Sequence, residues 1–393
     1  MPDLSNVRVI AAINGIELFG HERGNIEVFK SLRAQGAEVL VGVSSRTHDG
    51  ANLVEHELHR LEFSTFLLPF GPQWSIQWVK KDPRIAITNV MALIRCSWIF
   101  LKKSRDFRPT HVQLGSPLAY SYLSLALSFT RVPLIYRMGD CPPFDSPFNL
   151  RIWNMAMRRC TRVIANSKFV RASAITAGVA KDKITVIHNL APSTNDVSDN
   201  VSEKSGLDKN SQRLIYAGAI SEQKGLVELI TAFAIVSEKY VDLRLDILGG
   251  SRYDSPFRQQ IIEMIAEHGL EDKIILHGHV DDPSIFLRNA SIHIAPSVWD
   301  EPFANVVLEA KKDSVPSIIF PSGGLPEMIH HQVDGYICKE RTADALVEGI
   351  LWMLDGPERL ALMGKAAFKD SEMRFGPERF MYEWANIYLE TAR

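Results

Sequence analysis

The feature that most constrains this chain is a repeated alternation of short apolar runs with longer stretches of helical spacing. Residues 7–13 form the first run and end at Asn14-Gly15, a turn signal. A glycine-containing loop over 17–24 leads into a helical stretch, and residues 38–43 give a second run. Runs at 110–114, 133–137, 163–166 and 184–188 continue the series, with a helix expected through 120–129. Residues 191–211 then break the pattern, being rich in Ser, Asn and Asp and too polar to build a core. A second series follows, with strands expected at 213–217, 243–248, 274–277, 292–295 and 317–320. The helices between and after them are expected at 226–239, 257–268, 305–312 and 343–354. Strands alternating with helices imply parallel sheets, because a parallel pair needs a crossover and the crossover is usually a helix.

At 393 residues the chain has room for two such domains. The expected division is an N-terminal Rossmann-like domain over 1–190, a linker over 191–211 and a second Rossmann-like domain over 212–375. A last helix over 376–393 is expected to cross back to the first domain, with Phe380, Trp384, Ile387 and Tyr388 as its buried face. A hydrophobic share of 46% with 23% charged residues excludes a disordered chain. The net charge of −2 argues against a dedicated nucleic-acid binder. That total hides an asymmetry of +10 over residues 1–190 and −12 over 191–393, which suggests different partners for the two halves.

Cys96, Cys141, Cys160 and Cys338 are widely scattered, with no CxxC pair, and are expected as reduced thiols of a cytoplasmic protein. The first residues lack a basic segment followed by an apolar core, so no secretory signal is expected. The apolar run at 85–101 is interrupted by Asn89 and Arg95 and falls short of the roughly 20 residues a membrane span needs. Around Trp98 lie Arg84, Arg95, Lys102, Lys103, Arg105 and Arg108, with Trp74 and Trp78 upstream. Basic residues beside aromatics suit an anionic membrane surface, and a helix with a solvated basic end has the same composition.

The stretch 297–310 carries the most chemistry. Pro302 precedes a helix that Asn305 can cap, so the N–H groups of Phe303, Ala304 and Asn305 face outward at the positive end of the helix dipole. That is an anion site, suited to a diphosphate. Glu301 and Glu309 flank it, and carboxylates accept hydrogen bonds from hydroxyls. Taken alone, two glutamates near a helix start also fit a solvated helix end.

Three further segments accompany this stretch. They are Pro316–Glu327 with its Gly323-Gly324-Leu325-Pro326-Glu327 turn, Asp334-Gly335, and Tyr216–Gly225 with Lys224. Taken together in their order along the chain, these segments resemble the retaining glycosyltransferases of GT-B fold, in particular glycosyltransferase family 4, with its Glu-x7-Glu signature. The resemblance implies an α/β fold of two Rossmann-like domains facing a central cleft. It implies transfer of a sugar from a nucleotide-diphosphate sugar to a glycan, lipid-linked glycan or other hydroxyl acceptor, with no metal and no cofactor. Glu309 would hold the ribose, Glu301 the donor sugar, and the amides of Phe303 to Asn305 the phosphates. Lys224, after Gly218, would neutralise the diphosphate, and the backbone at His279 and Val280 would read the base. Gly20, Glu22 and Asp140 would lie on the acceptor side.

The chain also departs from the family. Ala219 stands where the family has arginine, with Arg252 as a substitute. Phe19-Gly20 stands for a Gly-Gly pair, Gly139 for a histidine whose place Asp140 would take, and Ser314 for a glycine. A catalytically silent binding protein and a nucleotide-sugar epimerase are the alternatives. The expected place is the cytoplasm, with a peripheral hold on the inner face of a membrane.

Overall fold

The computed structural model describes every residue except 1, 49, 73–81, 83, 193–211, 251–254, 281 and 393. The expected linker therefore lies almost wholly outside the described residues, as do Trp74, Trp78 and Arg252. The chain divides into two compact units, one of Met1–Asn189 with Glu378–Arg393 and one of Leu190–Pro377.

Unit 1 holds β1 (Arg8–Ile13), α1 (Gly20–Ala34), β2 (Glu38–Ser44), α2 (Leu53–Arg60), β3 (Ser64–Leu68), α3 (Arg84–Phe107) and β4 (His111–Leu114). It continues with α4 (Pro117–Phe129), β5 (Leu134–Met138), α5 (Pro147–Arg159), β6 (Arg162–Ala165), α6 (Lys168–Thr176) and β7 (Ile184–Val186). All pairings are parallel, in the order β3-β2-β1-β4-β5-β6-β7. Helices on both faces explain why β4 and β5 are buried along their whole length, polar residues such as Gln113 and Arg137 included. β1 buries every residue after Arg8.

Three helices in this unit start by one device. Ser116, Ser146 and Ser167 each accept a hydrogen bond from the backbone N–H three residues on, capping α4, α5 and α6. The last helix, Pro377–Thr391, belongs to this unit, and Phe380, Trp384, Ile387 and Tyr388 are buried. The Tyr388 hydroxyl donates to Gln113 of β4, and its ring meets His111 edge-on at 5.0 Å.

Unit 2 contains β8 (Arg213–Ala217), α7 (Leu226–Lys239), β9 (Arg244–Leu248), α8 (Pro256–Glu267), β10 (Ile274–Gly278), α9 (Ser284–Leu287) and β11 (Ile292–Ala295). After them come α10 (Asn305–Lys312), β12 (Ser317–Ile319), β13 (Gly335–Ile337), α11 (Ala343–Leu354) and α12 (Pro357–Phe375). Its parallel order is β10-β9-β8-β11-β12-β13. Each sheet thus builds outward from its first strand, then returns to that strand's other side. The reversal falls between β1 and β4 in unit 1 and between β8 and β11 in unit 2. In open α/β sheets, ligands bind beyond the carboxyl ends of the strands at such a reversal.

Candidate functional site

In unit 2 the loops after β8 and β11 meet at the reversal. Lys224 ends a 3-10 turn over Glu222–Lys224, and its ammonium donates to Glu301 Oε2 at 2.5 Å. Ser297 Oγ donates to the same oxygen at 3.1 Å. The loops are also joined through their backbones, for the Gln223 carbonyl accepts from Val298 N–H (3.1 Å) and Trp299 N–H (3.3 Å).

Two glycines make this approach possible. Gly225 has φ +71° and lies so near the Pro296 carbonyl that a Cβ would overlap it. Gly323 has φ +55°, and a Cβ there would run into the backbone of Glu301. Its neighbour Gly324 donates its N–H to the Glu301 carbonyl at 2.7 Å. The Gly-Gly turn thus supports the residue that its sequence motif accompanies.

Asn305 is not the cap of α10. The capping position is Ala304, in extended conformation with no side-chain hydrogen bond, and Asn305 is the first helical residue. No side chain caps this start, and the positive end of the helix dipole faces outward there. Phe303 is buried and packs on Phe375, with ring centroids 6.2 Å apart. Glu309 is half-buried one turn beyond Asn305, on the same side of the helix.

Gly218 opens the β8 loop, donating its N–H to the Leu248 carbonyl at 2.9 Å. Tyr216 closes the loop from below, its hydroxyl donating to the Ala219 carbonyl at 2.7 Å. Burial, then the neighbouring Glu301 carboxylate, hold that phenol well above its ordinary pKa, so it stays a donor. His279 is exposed after β10, and Val280 packs beside Leu248 and Leu287. These two follow β10, whose end is tied to the β9 loop by Gly249 N–H donating to the Gly278 carbonyl at 2.7 Å, and the β9 loop to that of β8 by Ile220 N–H donating to the Gly250 carbonyl at 3.1 Å. His277 is structural, since Asp246 accepts from its ring at 2.7 Å and from Arg213 at 2.9 Å.

The sequence reading missed two supports of this unit. Arg341 donates to the carbonyls of Val298 (2.8 Å) and Pro321 (3.2 Å) and pairs with Asp300. Lys311, wholly buried, donates to Asp334 at 2.8 Å and Asp370 at 2.6 Å. His330, Asp334 and Asp370 are close enough to suggest a metal site, and the Lys311 ammonium already supplies the cation between the two carboxylates.

In unit 1 the reversal holds a cavity of about 430 Å³. Asn14, Glu22, Ser116, Asp140 and Asn149 line it with polar groups, and Leu118, Met138, Ile152 and Trp153 with apolar ones. Asp140 is exposed, and Glu22 lies in the first turn of α1, which Gly20 begins. Burial raises the Glu22 pKa, with Asp140 adding to the effect against the pull of Arg137. Arg137 is buried behind the cavity, donating to the His21 carbonyl and, at 2.8 Å, to Asn189. Burial lowers its pKa to about 10.

The side chain of His21 stands against Gly139. A Cβ on Gly139 would lie 2.7 Å from His21 Nδ1. Burial and the Arg137 charge push the His21 pKa down to about 4, so the ring is neutral near pH 7. The only sequence signal for His21 was its place between Gly20 and Glu22.

Comparison with known proteins places the whole fold in a family. The family model of glycosyl transferases group 1 matches residues 197–370, and that of glycosyltransferase family 4 matches 20–191. A capsular polysaccharide biosynthesis glycosyltransferase of Staphylococcus aureus, CapM, is 25% identical over 329 residues, covering 79% of this chain and 83% of that protein. The N-acetyl-alpha-D-glucosaminyl L-malate synthase of Bacillus anthracis is 27% identical over 189 residues, 48% of each chain, so this chain spans about half the length of that relative. Among solved structures, Anabaena HepE in complex with UDP and glucose superposes with a TM-score of 0.80. It is 19% identical, with 98% of this chain and 100% of that one covered. With both units matched in order and the same two-sheet fold, the chain belongs to the family 4-like glycosyltransferases of GT-B fold.

Proposed function

We propose that the chain is a retaining, metal-independent hexosyltransferase of polysaccharide biosynthesis. In this reading it moves a sugar from a nucleotide-diphosphate sugar to a hydroxyl of a glycan or lipid-linked glycan. The observation that carries the reading is the Lys224–Glu301 pair at the sheet reversal of unit 2, just ahead of the uncapped start of α10. The diphosphate sits at that start, where the positive end of the helix dipole favours an anion. Lys224 turns to the leaving phosphate oxygen, where negative charge grows as the glycosidic bond breaks. Glu301, released from full neutralisation, accepts from hydroxyls of the donor sugar, and Glu309 accepts from the ribose.

The acceptor hydroxyl attacks the anomeric carbon on the face the diphosphate leaves, and its proton passes to that diphosphate. The configuration is retained without an enzymic nucleophile. Family membership supports this course, and the UDP and glucose in the complex of HepE, which has the same fold, support the donor class. CapM, the capsular relative, supports a polysaccharide product. Because Lys224 supplies the positive charge, the reading needs no metal ion.

Unit 1 receives the acceptor. Its cavity carries the carboxylates of Glu22 and Asp140, with no lysine or arginine among its lining residues. Such a lining favours an uncharged sugar, with apolar walls for the ring face and polar groups for hydroxyls, over a carboxylate or phosphate acceptor. The place of action is the cytoplasm, where widely scattered thiols such as Cys96, Cys160 and Cys338 stay reduced.

The test is release of nucleoside diphosphate from UDP-, GDP-, ADP- and dTDP-sugars, with and without neutral glycosides, and the product anomer read by NMR. An α-linked product from an α-linked donor is expected. An inverted product overturns the retaining course, and no turnover with any donor favours a silent binder.

A further inference from the structure

Lys311 is a buried charge that the transfer reaction does not use. It lies two residues beyond Glu309 in α10, and at about 100° per residue that sets it on the opposite side of the helix. Glu309 is half-buried on one side, and the Lys311 side chain is wholly buried on the other. Taking an ammonium out of water is costly unless strong partners meet it. Asp334, just before β13, accepts from it at 2.8 Å, and Asp370 of α12 accepts at 2.6 Å.

Each carboxylate is held in turn. The His330 backbone N–H donates to Asp334 Oδ1 at 2.7 Å. The Arg374 guanidinium grips Asp370 in bidentate fashion, with Nε at 2.6 Å and Nη2 at 2.8 Å. The same guanidinium donates to the carbonyls of Glu327 (2.8 Å) and Met328 (3.3 Å). Those two residues lie in the 3-10 turn Leu325–Met328, directly after Gly323-Gly324, and Gly324 is bonded to the Glu301 carbonyl. Phe375, next to Arg374, packs on Phe303 just ahead of α10. From Lys311 the contacts therefore run to the supports of both Glu309 and Glu301.

Stability alone does not call for such a set. Well-packed apolar side chains often replace a buried ion pair with no loss of stability. Hydrogen-bonded charges add direction, because they hold only when donor and acceptor point at one another. Helix α10 has eight residues, too few to form without packing. We propose that Lys311 is a positioning residue of the donor site. It sets the rotation of α10, and with it the place of Glu309, and it steadies the turn behind Glu301. This role rests on the proposed placement of the ribose at Glu309, and the experiment tells failure of that placement from failure of the lysine's role.

The test is calorimetry with UDP, GDP and ADP and their 2'-deoxy forms, followed through the pair that binds most tightly. The unaltered chain is expected to prefer the ribose form about tenfold or more, the worth of a hydrogen bond from a hydroxyl to a carboxylate. Lys311→Met keeps the length of the stem and removes the charge, and it should bring that preference below about threefold. Asp334→Asn keeps the lysine and Asp370 and should lower it less. In Lys311→Met with Asp334→Asn the remaining Asp370 and Arg374 balance each other. The melting temperature should then recover while the ribose preference stays low. In a Glu309→Ala background, Lys311→Met should change the preference no further. An unaltered ribose preference in folded Lys311→Met overturns the proposal and leaves the ribose placement standing. So does a preference that returns together with the melting temperature in the double variant, since the lysine would then serve stability alone. No ribose preference in the unaltered chain overturns the ribose placement, and the role of Lys311 with it.

Discussion

The two units repeat one strand order, and their sheet reversals are built in opposite ways. In unit 2 the loops after β8 and β11 are drawn together by backbone hydrogen bonds, two glycines and a lysine–glutamate pair. In unit 1 the corresponding place is a cavity with carboxylates at its wall and an arginine pinned behind it. In the proposed function the first arrangement fixes charges against a ligand part common to nucleotide-diphosphate donors, the diphosphate. The second offers a shape whose lining can change without disturbing the sheet. A transferase that keeps its donor chemistry while acceptors vary needs one site of each kind.

The largest expected effect lies on the fixed side. Lys224→Ala should lower kcat about a hundredfold to a thousandfold with a much smaller change in KM, because the charge it meets grows in the transition state. A change confined to KM would make Lys224 a binding group and erase the distinction between the sites. Next in size, Glu309→Ala should remove hydrogen bonds worth about 1.5–3 kcal/mol, weakening bare nucleotide about tenfold or more in calorimetry. Glu301→Ala should weaken the nucleotide sugar more than the nucleotide. Equal losses for both ligands would exchange or merge the two roles.

On the variable side the effect is one of packing. Gly139→Ala places a methyl group against His21 and should cost about 1–3 kcal/mol in the urea transition of unit 1, followed through its buried Trp153 and Trp384. Adding His21→Ala should return much of that loss, since the two residues compete for one space. Strictly additive losses would show that His21 does not fill the space above Gly139.

The two sites also differed in how far the sequence revealed them. Glu301, Phe303–Asn305 and Glu309 lie in one continuous stretch, so their spacing alone suggested a helix start with flanking carboxylates. The resemblance put Lys224 and Glu301 in one site, but their direct contact was not legible, because it joins loops from different strands. His21 over Gly139 was invisible, since nothing local marks two distant residues as sharing a volume. Lys311 reads as a surface residue in sequence and is buried because Asp334 and Asp370 reach it from other elements. Asn89 read as a break in an apolar run. It is instead a polar residue of the inward face of α3, answered by Tyr122. The strands were legible because burial on both faces leaves a plain run of apolar residues. Helix starts were less so, as the displacement from Asn305 to Ala304 at the cap of α10 illustrates.

The smallest expected effect uses protons to separate the units. The unfolded imidazole titrates near 6.5, and in the folded chain burial and Arg137 push His21 down to about 4. Between those values the unfolded state binds more protons, so acid favours unfolding. The contribution of His21 is fully present above about pH 6.5 and is lost as pH falls toward 4. From pH 7 to pH 6 the loss is about half a kcal/mol, and it grows on further acidification. In His21→Gln the unit 1 transition should lose that part of its acid sensitivity. Unit 2 should keep its own in the same variant, because burial holds His293 of β11 down to about 3. An unchanged pH dependence of unit 1 in this variant would mean that His21 can take up a proton in the folded state. It would then be a charged group at the cavity, and the preference argued for an uncharged acceptor would lose its electrostatic basis.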